Sequence, residues 1–228
     1  MHFPRPGQGR QQQDMKSNIN QLESRGFVAA GMGKEYPDTT FEQSLSLLQS
    51  KLPVDRTLGA RFMAKHTDAA AIAYLIEALK QEKKLYVRLE ICNSLVSYGK
   101  ASVLPLIAIL GKVGTNQYKE VPKAAFKKKN YPLPRDLAAR TLIRIGATAL
   151  PDLVALLGST DLIKLSEALD AIGFICFYDY QASVFEPLKE CFSLNYQNEL
   201  IRWKLMRAMS AFPESASFLL GNRDDRVG

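Results

Sequence analysis

The chain has 228 residues, 46% hydrophobic and 23% charged, enough for one sizeable domain or one repeat array and too apolar for a disordered polyelectrolyte. Thirty Lys and Arg against 23 Asp and Glu leave +7, which permits nucleic acid, acidic protein or anionic lipid as partner and selects none. Three widely spaced cysteines, Cys92, Cys176 and Cys191, with no CxxC, argue against a disulfide framework and a thiolate zinc site.

Residues 1–40 are rich in Gly and Gln and poor in large apolar side chains, which predicts a mostly mobile tail. Ser17 to Phe27 carries a faint helical stripe of Ile19 and Leu22. Met15 opens a more protein-like stretch than Met1, so the first fourteen residues read as a start-site artefact. Met1 to Asp14 holds no signal-peptide apolar core, and Val103 to Leu110 is too short to cross a bilayer, so the expected location is the cytoplasm, without a membrane partner.

At Thr40 the pattern changes. Thr40 with Gln43 fits a capping box, and Phe41, Leu45, Leu48 and Leu52 form one stripe. Pro53 is expected to end that helix and Asp55 to cap the next. A pattern then restarts five times: an anchor, apolar residues three, seven and ten positions on, and a stop. The anchors are Arg56, Arg88, Arg135, Leu162 and Arg202. The offsets hold Ile91, Leu95 and Tyr98; Ala138, Leu142 and Ile145; Leu165, Leu169 and Ile172; and Leu205, Met209 and Phe212. The first copy is worn, with Gly59, Met63 and His66. Gly99, Gly146, Gly173 and Pro213 supply the stops. A second helix follows, with proline near its start in Val103–Leu110, Ala149–Leu157 and Val184–Phe192. One such helix pair cannot bury both its apolar faces, whereas stacked pairs can, so the expected fold is all-α and solenoidal.

The segments "VRLEICNSLVSYGKASVLPLIAIL" and "PRDLAARTLIRIGATALPDLVALL" resemble HEAT repeats, closest to the short type of phycobilin-lyase subunits. The resemblance covers about residues 41–228 and implies an α-solenoid of about five helix pairs. It implies little about activity, because the matching positions are packing and turn positions. The anchors are 32, 47, 27 and 40 residues apart. The long steps hold an insertion, about 114–134, and an aromatic run, "FICFYDY", at 174–180, expected to fill the wider gap of the longer repeat. Asp225-Arg226-Val227 reads as the start of a sixth copy, cut short.

The insertion is the strongest candidate site. Between Lys100 and Arg144 there are ten basic residues and two acids, Glu120 and Asp136. Lys119, Lys123, Lys127, Lys128, Lys129, Arg135 and Arg140, with Phe126 and Tyr131 interleaved, are the expected binding residues. Their cations fit an acidic protein or nucleic-acid phosphates, with rings stacking on bases; they fit equally a solvated loop. Trp203 and Arg207 lie one helical turn apart, loosely similar to HEAT-like alkylation-repair glycosylases. No second Trp exists, and no Asp lies one turn from Trp203, so core packing is the preferred reading. The only histidines, His2 and His66, lack the His-Glu pairs of HEAT-like di-iron hydroxylases; His66 is read as a packing residue. The expectation is a non-enzymatic scaffold or adaptor, with neither cofactor nor metal, that holds a protein partner, an acidic one among the options; the alternatives are a nucleic-acid-binding protein, repair-glycosylase-like ones included, and a phycobilin-lyase-like enzyme subunit.

Overall fold

Thr40 opens its helix with reciprocal bonds. Its Oγ1 accepts from Gln43 N at 3.2 Å, while Gln43 Oε1 accepts from Thr40 N at 2.9 Å. The structure is a computed structural model and describes residues 19–29, 31–33, 38–123 and 130–221. Among those residues every regular element is helical. The chain divides into two units, Met1–Ser97 and Tyr98–Gly228.

The first unit holds α1 (19–23), α2 (Phe41–Leu48), α3 (Pro53–Met63), α4 (Ala69–Gln81) and α5 (Leu85–Ser97). Pro53 starts α3 rather than merely ending α2, because a first-turn proline gives up an N–H that has no helical partner. Asp55 does not cap; it accepts from Ser50 Oγ at 2.8 Å. Leu52 leaves the predicted stripe and is 62% exposed. Ser44 shares the buried face with Leu48, its hydroxyl satisfied by Thr40 O at 2.8 Å. Gly59, which looked like a worn apolar position, is a contact point: a Cβ there would run into the backbone of Leu47 and Leu48 on α2. His66 packs, as expected, with its ring edge-on to Phe41 at 5.6 Å and Nε2 3.1 Å from Ser44 Oγ.

Part of the expected tail is folded. Thr57 Oγ1 donates to Gly26 O at 2.6 Å, and Arg61 Nη1 donates to Ala29 O and Met32 O at 2.9 and 2.8 Å. The Phe27 ring meets Tyr86 at 5.2 Å. Composition could not signal this, because the segment contributes mainly carbonyls that helix side chains reach.

The second unit holds α6 (Val103–Ala108), α7 (Leu137–Ile145), α8 (Leu150–Val154), α9 (Leu162–Tyr178), α10 (Phe185–Leu194), α11 (Glu199–Met209) and α12 (Ser215–Gly221). In it α9 packs between α7 and α11, while α6, α8 and α10 follow one another on a second layer. Two of the proline-marked second helices, α6 and α8, are shorter than predicted, and all three are entered through 3-10 turns, at Gly99–Ser102, Gly146–Ala149 and Ala182–Val184. Residues Leu137–Gly158 together are long and apolar enough to cross a membrane. In this fold they bend at Gly146 into α7 and α8.

Two expectations fail instructively. Gly173 does not stop α9, which runs on through Tyr178 and makes the aromatic run helical. Instead Gly173 marks a crossing: a Cβ would lie 2.8 Å from Ala208 Cα on α11 and would collide with the Tyr131 hydroxyl. The third anchor is also displaced. Arg56 and Arg202, each the fourth residue of its helix, donate to the carbonyl six residues earlier, Ser50 O at 3.0 Å and Tyr196 O at 3.4 Å; Arg88 does the same to Glu82 O. Pro132 and Pro134 delay the start of α7, so Asp136 is its cap and Arg140 its fourth residue. Arg140, not Arg135, donates to the carbonyl six residues earlier, Pro134 O, at 2.6 Å.

All three cysteines are buried thiols outside any disulfide. Burial pushes the Cys176 thiol up to about 12 and the Cys191 thiol up to about 11, which leaves both inert thiols at neutral pH. Gly59→Ala should lower the stability of the first unit by about 1–3 kcal/mol, the usual cost of overpacking a tight contact; urea denaturation followed by circular dichroism measures it.

Candidate functional site: a roofed ion cluster

The second unit buries a lysine completely. Lys204, on α11, has no exposed side-chain surface. Its Nζ reaches Glu167 Oε1 at 2.9 Å, Ser166 O at 3.1 Å and Asp170 Oδ2 at 3.2 Å, all on α9. Arg207, one turn further along α11, pairs with Asp170 Oδ1. Two cations thus meet two carboxylates, each only 2% exposed. Isolated, any of these charges would cost several kcal/mol to bury.

The packing between the helices recurs. Counted from the anchors, Glu167 is five after Leu162 and Lys204 is two after Arg202. In the first unit, Arg61 is five after Arg56 and Glu90 is two after Arg88. They form the matching pair, Arg61 Nε to Glu90 Oε1 at 2.8 Å. Between α7 and α9 the same register holds Arg140 and Lys164; Lys164 pairs with Asp161 at 3.6 Å instead. Complementary charge at five-then-two, present in the first and last of the four steps, is the signal by which Lys204 was findable. The apolar offsets alone do not reveal it.

A roof from the insertion covers the cluster. The Tyr118 ring lies 5.8 Å from Lys204 Nζ, 5.8 Å from the Arg207 guanidinium and edge-on to Trp203 at 5.3 Å. Arg135, freed from the anchor role, sits 3.8 Å over the same Tyr118 ring, while Arg207 lies 4.4 Å over Trp203. Tyr131 is core, 7% exposed, and its hydroxyl donates to Arg207 O at 3.1 Å. Burial pushes that hydroxyl up, so it stays a donor at every physiological pH. Glu167 Oε2 and Arg207 Nε and Nη1 have no hydrogen-bond partner among the described residues. The acid absent from the sequence neighbourhood of Trp203 therefore arrives from α9 as Asp170, clamped by two cations.

Of the expected binding residues, Lys119, Lys123, Arg135 and Arg140 are exposed. Tyr131, expected to stack on a partner, is buried, because its ring closes over Gly173 and against Phe177 at 5.3 Å. Phe126, Lys127, Lys128 and Lys129 lie outside the described residues, as do Asp225, Arg226 and Val227. Asp136, one of the two acids set against this positive region, is fully buried. It caps α7 through Ala139 N at 2.9 Å and accepts from Gln117 Nε2 at 2.9 Å and Gly111 N at 3.2 Å. Among the described residues no group of three or more His, Cys, Asp and Glu is placed to hold a metal ion. No protein-family model matches the chain, and no curated protein matches it.

Lys204→Met should destabilise the second unit by about 3–5 kcal/mol, the cost of stripping the partner from a buried charge, read from urea denaturation by emission of Trp203, the chain's one tryptophan. A second outcome concerns pH. Burial pushes the Glu167 carboxyl above its ordinary 4.5; Lys204 opposes this and Asp170 adds to it. A raised folded value means the fold holds the proton more tightly than the unfolded chain does. The stabilisation is full below the unfolded value and lost as pH rises through the folded one. Glu167→Gln should flatten that fall in midpoint as pH rises above 4.5.

Proposed function

We propose that this chain is a non-enzymatic, cytoplasmic scaffold of HEAT-repeat type that holds an acidic protein surface. The repeating helix pairs and the layered packing within the second unit support a solenoid, a fold that offers extended binding surface. The observation that carries the partner class is the inward turn of Asp136. With its charge spent on capping α7, the exposed bases Lys112, Lys119, Lys123 and Arg135 share their segment with one exposed acid, Glu120. No carboxylate among the described residues stands in ion-pair range of these four bases.

Stacking on the bases of a single strand needs free aromatic faces beside the cations, whereas phosphate contacts need the cations alone. The described rings of the insertion are engaged: Tyr131 is buried, and Tyr118 is held among Arg135, Trp203, Lys204 and Arg207. Asp170 and Glu167, the acids beneath the Tyr118 roof, are tied to Lys204 and Arg207 in the manner of a structural ion cluster rather than a free base.

The tagged chain, captured from its own lysate, should retain a protein partner after nuclease treatment, and Lys119→Glu with Lys123→Glu should release it. Loss of all bound material on nuclease treatment would overturn this reading in favour of nucleic acid.

A further inference from the structure

The far end of α9 exposes rings that the fold does not use up. Phe177 is 43% and Tyr178 58% exposed, and the two pack edge-on at 5.0 Å. Phe174 braces Tyr178 from the preceding turn at 4.8 Å. This is a rigid aromatic step on a long helix, with side chains of few rotatable bonds, the kind of surface that anchors a partner at low entropic cost.

The step joins the basic segment through Tyr131. That ring lies 5.3 Å from Phe177 and 6.2 Å from Phe174, and its hydroxyl is fixed to α11 at Arg207 O. Four residues on along the chain is Arg135, so its backbone lies no further than about 14 Å from that of Tyr131. Between them Leu133 is 59% exposed. Aromatic step, Leu133 and Arg135 therefore lie within the span of a single extended peptide. Along the chain, the exposed charge differs on the two sides of this path. Arg135 and, beyond it, Lys123 and Lys119 lie toward the insertion. Past Tyr178 the exposed groups turn acidic, with Asp179 and with Glu214 hydrogen-bonded to Tyr180.

Resting on the proposed acidic partner, we infer the form of the segment this surface takes: an extended peptide with one bulky apolar anchor and acidic residues on only one side of it. The anchor seats on Phe177 and Tyr178 and the acids run over Leu133 to Arg135. Acids on the other side of the anchor would face Asp179 and Glu214.

Fluorescence anisotropy with labelled synthetic peptides tests this. The probes are an oligoglutamate, the same peptide with one terminal Phe, that peptide with Ala for Phe, and a Phe peptide with acids on both sides. The one-sided Phe peptide should bind about tenfold more tightly than its Ala counterpart, the worth of burying one aromatic side chain in part. Tyr178→Ser should abolish that gain while leaving oligoglutamate binding unchanged, with Trp203 emission confirming the fold. Lys123→Glu with Arg135→Glu should weaken every acidic peptide. Equal binding of the Phe and Ala peptides, or tighter binding of the two-sided peptide, overturns this inference and leaves the acidic-partner reading standing. Failure of all four peptides at low salt overturns both.

Discussion

Lys204 sets the terms for the second unit. A primary ammonium with no exposed surface must find its hydrogen bonds inside the protein, and every acceptor it uses sits on α9. That requirement fixes the register of α11 on α9 more tightly than apolar contact could, since a shift of one turn would leave an ammonium facing hydrocarbon. Close approach at Gly173 follows, because Ala208 can come within contact of the α9 backbone only where no side chain intervenes. Tyr131 then fills the notch, and the insertion is tied down at both ends, by Gln117 on Asp136 at the head of α7 and by Tyr131 on α11.

The pattern of the sequence carried the helices well. The Thr40 box, the apolar offsets of α5, α9 and α11, and the glycine turn after α7 are local properties of 3.6-residue periodicity and need no tertiary information. What eluded it was set by contacts across helices. Gly173 has the look of a stop in one dimension and is a crossing point in three. Gly59 looked like decay of a repeat and is a place where α2 presses on α3. Arg135 and Arg140 exchanged roles because two prolines moved the helix start by a few residues, which changed the residue able to reach back six positions.

The candidate site was legible in outline and not in detail. Composition marked the insertion as basic, and its exposed lysines are where charge counting puts them. Charge counting cannot tell an acid at the surface from one spent as a cap, so the outward imbalance is larger than the tally that includes Asp136. Nor could interleaved aromatics be sorted by spacing into those that face outward and those that, like Tyr131, close the core. The ion cluster was hidden for a different reason: its partners are 37 residues apart for Lys204 and Glu167, and only alignment of one repeat on the next brings them into the same frame.

The reversed polarity of the two matching ion pairs has a consequence for assembly. Arg61 offers a cation to its neighbour and Glu90 answers with an anion; Glu167 offers an anion and Lys204 answers with a cation. Helices built on one template are prone to dock on the wrong sibling during folding. In this chain α5 laid on α9 would set Glu90 against Glu167, and α11 laid on α3 would set Lys204 against Arg61. Like charges forced together out of water repel strongly. The α3–α5 and α9–α11 pairs thus carry an address, written in the sign of one charge, that keeps α5 and α11 from trading places; α7, where Arg140 and Lys164 share the same frame, carries none.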